Sequence, residues 1–215
     1  MIVASLGEKA GTGKTTLATN LAGMRAYHSD VVLIDADRQG TASIWMERRA
    51  EHLDLSLPSC VQSFGAGLSR TIRDMARRYN DVVVDVASGD NLELSQALAS
   101  ADAIMIPMQP AAADLWTFGQ MDIRVEDAMA INDLLRAFAI INKASPNPRA
   151  GDVAAARSAM ADAVAITVSE HTVCERVSIK RAIPQGRTVP EYRPIDARAC
   201  AELKAVYKLV YGDEY

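Results

Sequence analysis

A chain of 215 residues, 49% of them hydrophobic, is long enough for one well-packed core and short for two. Its formal net charge of −4 argues against a constitutive nucleic-acid coat. A local basic patch stays open, because its field is set within about 8 Å; no run reaches the roughly 18 to 20 apolar residues of a membrane span.

The start, Met1-Ile2-Val3-Ala4-Ser5-Leu6, has neither the basic flank nor the cleavage site of a secretory leader. Cys60, Cys174 and Cys200 match no zinc or disulfide spacing, so a cytoplasmic protein is expected. Short β-branched runs then alternate with helical segments, as in βα units on a parallel sheet. Strands are expected at residues 2–6, 31–35, 81–86, 103–107 and 137–142, with a further one at 163–168. Each is nearly all apolar, as strands covered on both faces should be. Helices are expected at 14–26, 41–51, 68–78, 91–99, 114–131, 151–160 and 197–211. Residues 52–66 receive no assignment. The fold class is α/β, a doubly wound, mostly parallel sheet flanked by helices, in one domain spanning 1–215.

Between the first strand and the first helix stands Gly7-Glu8-Lys9-Ala10-Gly11-Thr12-Gly13-Lys14-Thr15-Thr16. Glycines here let backbone N–H groups turn toward phosphate oxygens, and the helix start adds its positive dipole end. Lys14 supplies a full charge to β- and γ-phosphates, and the Thr15 hydroxyl is placed to ligate Mg²⁺. Glu8 stands where the standard pattern G-x-x-x-x-G-K-[ST] has its first glycine.

Residues 9–16 instead resemble the deviant Walker A motif, K-G-G-x-G-K-[ST]-[ST], of the ParA/MinD family of P-loop ATPases. The resemblance implies ATP and Mg²⁺ as ligands, held by Lys9, Ala10, Gly11, Thr12, Gly13, Lys14, Thr15 and Thr16. It also implies that Lys9 reaches across a dimer interface to the partner's nucleotide. Ala10 replaces a family glycine and would strain the loop if that position needs φ > 0.

Asp35-Ala36-Asp37-Arg38-Gln39-Gly40 resembles the family's D-x-D-P-Q-[GA], with Arg38 for the proline. Asp37 thereby inherits a role in arranging Mg²⁺ and the attacking water, and loss of the proline would loosen the loop. Asp81-Val82-Val83-Val84-Asp85 has the form of a Walker B strand. It ends in a carboxylate at the edge where ligands sit in open α/β sheets, so Asp85 is a candidate Mg²⁺ partner. Ile106-Pro107-Met108-Gln109-Pro110 followed by Asp114 resembles a family segment I-P-x-x-P-x-x-x-D. Ile141-Asn142-Lys143 closes a strand where relatives place an Asn against adenine. Gly186-Arg187-Thr188-Val189-Pro190-Glu191-Tyr192 resembles a C-terminal family stretch.

The resemblance implies a weak, partner-stimulated ATPase that forms an ATP-dependent sandwich homodimer. It further implies non-specific DNA binding released on hydrolysis, a ParB-like adaptor, no membrane, and a place in the bacterial cytoplasm at the nucleoid. Plasmid or chromosome partition, or cargo positioning, would be its use, since the chain begins at the first strand without a helix-turn-helix segment. Lys180, Arg181, Arg187, Arg193, Arg198, Lys204 and Lys208 concentrate basic charge near the C-terminus. Two other readings are a MinD-like membrane switch using the terminal helix, opposed by the acidic tip Asp213-Glu214, and a metabolic enzyme of the same fold. Trp45 and Trp116 are expected in packing or at an interface.

Overall fold

The computed structural model describes residues 1–111, 116–147, 151–212 and 215. Strands β1 (Ile2–Ser5), β2 (Val31–Ala36), β3 (Ser59–Gln62), β4 (Asp81–Val86), β5 (Ala103–Met108), β6 (Arg136–Ala144) and β7 (Thr167–Cys174) form one seven-stranded sheet. Its order is β3-β2-β4-β1-β5-β6-β7, and every described pairing is parallel. The helices are α1 (Lys14–Arg25), α2 (Thr41–Ala50), α3 (Leu68–Ala76), α4 (Leu92–Leu98), α5 (Phe118–Met129), α6 (Asp152–Ala159), α7 (Val177–Ala182) and α8 (Ala197–Tyr211).

Alternation along each strand feeds two opposite layers. Val32 and Ile34 join the core shared with α3, α4, α5 and α6, while Val31 and Leu33 pack with Trp45 and Met46 of α2. Val3 of β1 meets α1 and α8 through Leu17, Leu21, Leu203 and Val206. With both faces covered, the central strands have no polar face, which is why they read as unbroken apolar runs.

Departures from expectation fall at the sheet edges. The strand placed at 163–168 begins instead at Thr167. The buried Asp122 carboxylate of α5 accepts the amides of Val164, Ala165 and Ile166 at 2.8 to 3.0 Å, so these donors are taken before a ladder can use them. The unassigned stretch contains β3, a four-residue edge strand pairing only with β2. Of the helix expected at 114–131 the structure describes Phe118–Met129, and Asp114 lies outside the described residues.

Register fixes the ligand edge. Asp85 at the end of β4 lies opposite Ser5 of β1 on one side and Asp35 of β2 on the other. The chain leaves β1 toward β2 and leaves β4 toward β5, in opposite directions. A crevice therefore opens beyond the carboxyl ends of these two neighbours.

Candidate nucleotide site

The loop between β1 and α1 lines that crevice. Gly11 and Gly13 hold φ values of 77° and 104°, which a side chain would strain. Among described non-glycine residues only Lys143 has a positive φ, so Ala10 does not need the left-handed region and its methyl is accommodated. Helix α1 carries no side-chain cap and no acidic residue in its first turn, so its dipole end is left uncompensated at the crevice.

A cavity of about 590 Å³ is walled by Gly11, Lys14, Thr15, Asp37, Ser88 and Lys143, with Ala10, Gly13 and Thr16 also on its surface. Lys14 is buried, and its Nζ donates to the Lys9 carbonyl and the Ser88 hydroxyl, both at 2.7 Å. Burial lowers its pKa, while Asp85 and Asp37 oppose that shift. Lys9 and Thr12 are not part of this wall. They border a small void together with Phe118 and Met121.

Asp85 is 1% exposed, and neither carboxylate oxygen has a hydrogen-bond partner among the described residues. Burial pushes its pKa up to about 7; the neighbouring Thr15 hydroxyl and Lys14 pull it down, and Asp35 and Asp37 add to the rise. An orphaned buried carboxylate beside a hydroxyl is an oxygen donor set suited to Mg²⁺. No group of three or more His, Cys, Asp or Glu among the described residues could hold a metal alone. Mg²⁺ takes one or two protein oxygens and completes its shell with phosphate and water.

Asp35 and Asp37 divide their work. The buried Asp35 carboxylate accepts from the Ser43 amide and hydroxyl and from the Asp37 amide, bracing the turn into α2. Asp37 accepts from the Gln39 amide and reaches the cavity. Arg38 stacks 5.2 Å from the centre of the Phe64 ring, so this loop is braced without a proline.

Asn142 is buried, and its Nδ2 donates to the Thr12 carbonyl at 2.6 Å, supporting the phosphate loop from β6. It also lines a second cavity of about 260 Å³, with Thr16, Arg176, Ile179, Ile183 and Pro184. Lys143 lies on the wall of both cavities, and its Nζ donates to the Gly11 carbonyl. Lys143 and Ser88 were not among the expected site residues. A charged strand end beside Asn142 and a Ser-Gly pair three residues past Asp85 were the available signals.

The stretch from Gly186 is a brace. Its Glu191 carboxylate forms a bidentate pair with fully buried Arg49 of α2 at 2.7 and 2.8 Å. Asn20 joins this stretch to the first turn of α1, accepting from the Val189 amide and donating to the Thr16 carbonyl. Trp45 is buried, and Trp116 is 80% exposed.

Residues 3–189 match the model of the CobQ/CobB/MinD/ParA nucleotide-binding domain. The chain is 27% identical over 189 residues to maintenance of carboxysome distribution protein A of Halothiobacillus neapolitanus, covering 84% of this chain and 82% of that protein. It is 39% identical over 115 residues to the protein of the same name from Gloeobacter kilaueensis, spanning 53% of this chain and about half (51%) of that relative. Two solved structures share the fold. Cyanothece McdA in complex with ATP has a TM-score of 0.73 at 15% identity, over 100% of this chain and 97% of that one. MinD of Pyrococcus horikoshii OT3 complexed with Mg-ADP has a TM-score of 0.72 at 15% identity, over 97% and 94%. The chain belongs to the CobQ/CobB/MinD/ParA family of nucleotide-binding domains, with the P-loop and seven-stranded parallel sheet of ParA/MinD-type ATPases.

Proposed function

We propose that residues 1–215 act as one ATPase domain that switches a homodimer on with ATP, holds non-specific DNA in that state, and lets go after hydrolysis. The observation that carries this reading is the placement of the two loop lysines. Lys14 lies in the wall of its own chain's phosphate cavity, and Lys9 lies outside that wall. A lysine outside its own site's wall can serve a partner's nucleotide. ATP drives association only if it binds the dimer more tightly than the monomer, and a Lys9 contact across the interface supplies that difference.

In this mechanism the loop amides and Lys14 hold the β- and γ-phosphates. Lys14 must exchange its Lys9 carbonyl and Ser88 partners for phosphate oxygens. Thr15 and Asp85 are the residues that would hold Mg²⁺, with Asp37 nearby. The ion would neutralise charge on the phosphates. Asp37 orients the attacking water, a positioning task that needs little covalent chemistry from the protein. The adjoining cavity with Asn142, Ile179 and Pro184 receives the base. Turnover is slow unless an adaptor protein accelerates it.

Among the basic residues, several are already engaged. Lys180 pairs with Glu175, Arg187 faces His52, Arg193 folds onto the Pro190 and Tyr192 carbonyls, and Lys204 lies over the Tyr215 ring. Arg181 and Arg198 share the wall of one open depression beside Ile195, which makes them the pair to hold a phosphate backbone. The apolar face of α8, including Leu203, Val206 and Val210, is packed on the core, which disfavours the membrane switch. Relatives named for carboxysome distribution favour positioning of a protein cargo over plasmid partition. On this reading the chain works in the bacterial cytoplasm at the nucleoid.

Binding to unrelated duplex DNAs with ATP, ADP or no nucleotide tests the reading. ATP-dependent binding that weakens with salt, shows no sequence preference and falls in an Arg181→Glu/Arg198→Glu variant is expected. Binding indifferent to nucleotide, or absent at low salt, would contradict it.

A further inference from the structure

At the end of β6 the pairing with β7 slips by one residue. Asn142 lies opposite Val173 and Ala144 opposite Cys174, which leaves Lys143 as an extra residue between them. Lys143 takes up that length at φ 54°, in the left-handed region, alone among the described non-glycine residues. A bulge of this kind bends the strand and re-aims a side chain. Regular strands send successive side chains to opposite faces. Asn142 and Lys143 instead reach successive carbonyls of one loop, those of Thr12 and Gly11. Glycine would hold this φ without strain, and strain of this sort is kept where the side chain it aims has a task.

The phosphate loop does not depend on the lysine contact. Gln109 Nε2 donates to the same Gly11 oxygen at 3.1 Å, so the carbonyl keeps a donor when the exposed lysine turns to a ligand. Glu175, on the wall of the second cavity, has its own cation in Lys180 at 2.7 Å. Of the described wall residues only Thr16 and Lys143 belong to both cavities, and Lys143 is the charged one. A nucleotide with its β- and γ-phosphates at Lys14 and its base beside Asn142 crosses that border at its α-phosphate and ribose.

We infer that Lys143 is a further nucleotide-binding residue, a cation aimed by the bulge at the α-phosphate where the two cavities meet. The inference rests on the reading that one nucleotide spans both cavities. ADP and ATP carry the same α-phosphate, so Lys143 strengthens both alike and takes no part in telling them apart. An exposed ammonium acts chiefly as a point charge, so its contribution fades as salt screens it.

The test titrates fluorescent ADP and a fluorescent non-hydrolysable ATP analogue into wild type, Lys143→Gly, Lys143→Arg and Lys14→Ala at low and high salt. Thermal melting without nucleotide runs alongside. Lys143→Gly removes the charge and relieves the left-handed strain. Both nucleotides should bind it more weakly by the same factor, about fivefold at low salt, with a gap that narrows at high salt. Its melting temperature should be no lower than that of wild type. Lys143→Arg keeps the charge and should bind within about twofold of wild type. Wild-type affinity in Lys143→Gly at low salt overturns the inference. Equal losses in Lys143→Gly and Lys143→Arg also overturn it, as does a loss that ignores salt or comes with a lower melting temperature, because each marks a support for the loop. If Lys14→Ala binds ADP normally, the reading of the site falls and takes the inference with it. If Lys14→Ala abolishes binding and Lys143→Gly does not weaken it, the inference alone fails.

Discussion

At Gly13 the backbone is held at φ 104°, and the place a β-carbon would take is occupied by the Asn142 amide nitrogen. Two separate penalties therefore meet at one residue, a strained dihedral and a collision with a buried side chain that supports the loop. Gly13→Ala should destabilise the loop by about 1 to 3 kcal/mol and lose ADP affinity. Adding Asn142→Ala relieves the collision and leaves the dihedral, so it restores only part. Titration with a fluorescent ADP analogue checks this, and full recovery in the double variant would refute the dihedral component.

At the residue scale, placement was legible where a motif compresses it. Lys14, Thr15 and Asp37 line one cavity, and Asp85 stands at the expected strand end. Lys143 was not legible, because a lysine at a strand end is ordinary in a string of letters. Its left-handed backbone and its reach to Gly11 exist only in three dimensions. Ser88 escaped for the same reason, since its partner lies 74 residues away.

Among elements, α2 links the Asp37 loop to the C-terminal brace through a guanidinium with no exposure. Removing one partner of such a pair leaves the other charge buried and alone. Arg49→Met should cost about 3 to 5 kcal/mol in urea unfolding, and adding Glu191→Leu should return part of that loss. A cost near zero would mean that Glu191 is satisfied without Arg49. At the opposite edge of the sheet Asp81 anchors β4 to Arg25 and Ser29, both at 2.6 Å. Burial works to raise the Asp81 carboxyl, but the Ser29 hydroxyl and the Arg25 guanidinium outweigh it and hold it below its ordinary value. A depressed folded pKa gives stability that is present above the unfolded value, about 3.9, and is lost as pH falls through the folded one. The melting-temperature gap between wild type and Asp81→Asn should thus be constant at neutral pH and shrink below about pH 4. A gap that widens in acid would reverse the assignment.

The same contrast explains which elements could be read in advance. Strands β1, β2, β4, β5 and β6 are buried on both faces and announce themselves as apolar runs. The four residues of β3 and the six of α7 are short edge or connecting pieces whose shape comes from packing. The start of β7 was misplaced because Asp122, more than forty residues upstream, captures the amides before it. Long-range hydrogen bonds of this kind leave no local pattern.

On the scale of the whole molecule, the proposed switch needs two copies of this site. The cavity holds Lys14 and Lys143 in its wall, while Lys9 lies outside that wall and its carbonyl accepts from Lys14 Nζ. An isolated chain has the parts to bind a nucleotide, and in the proposed dimer Lys9 acts on the second copy. Exposed Trp116 immediately precedes Thr117 and Phe118, which border the same void as Lys9. Under the proposed function, the alternation between one chain and two is the output of the nucleotide cycle.

Sedimentation velocity of the wild-type chain with Mg²⁺ and ATP, ADP or no nucleotide tests that claim most directly. Expected are a dimer with ATP, a monomer with ADP or without nucleotide, and a Lys9→Ala chain that stays monomeric in all three. A single species of unchanged size across the three conditions, or a dimer that survives Lys9→Ala, would contradict it.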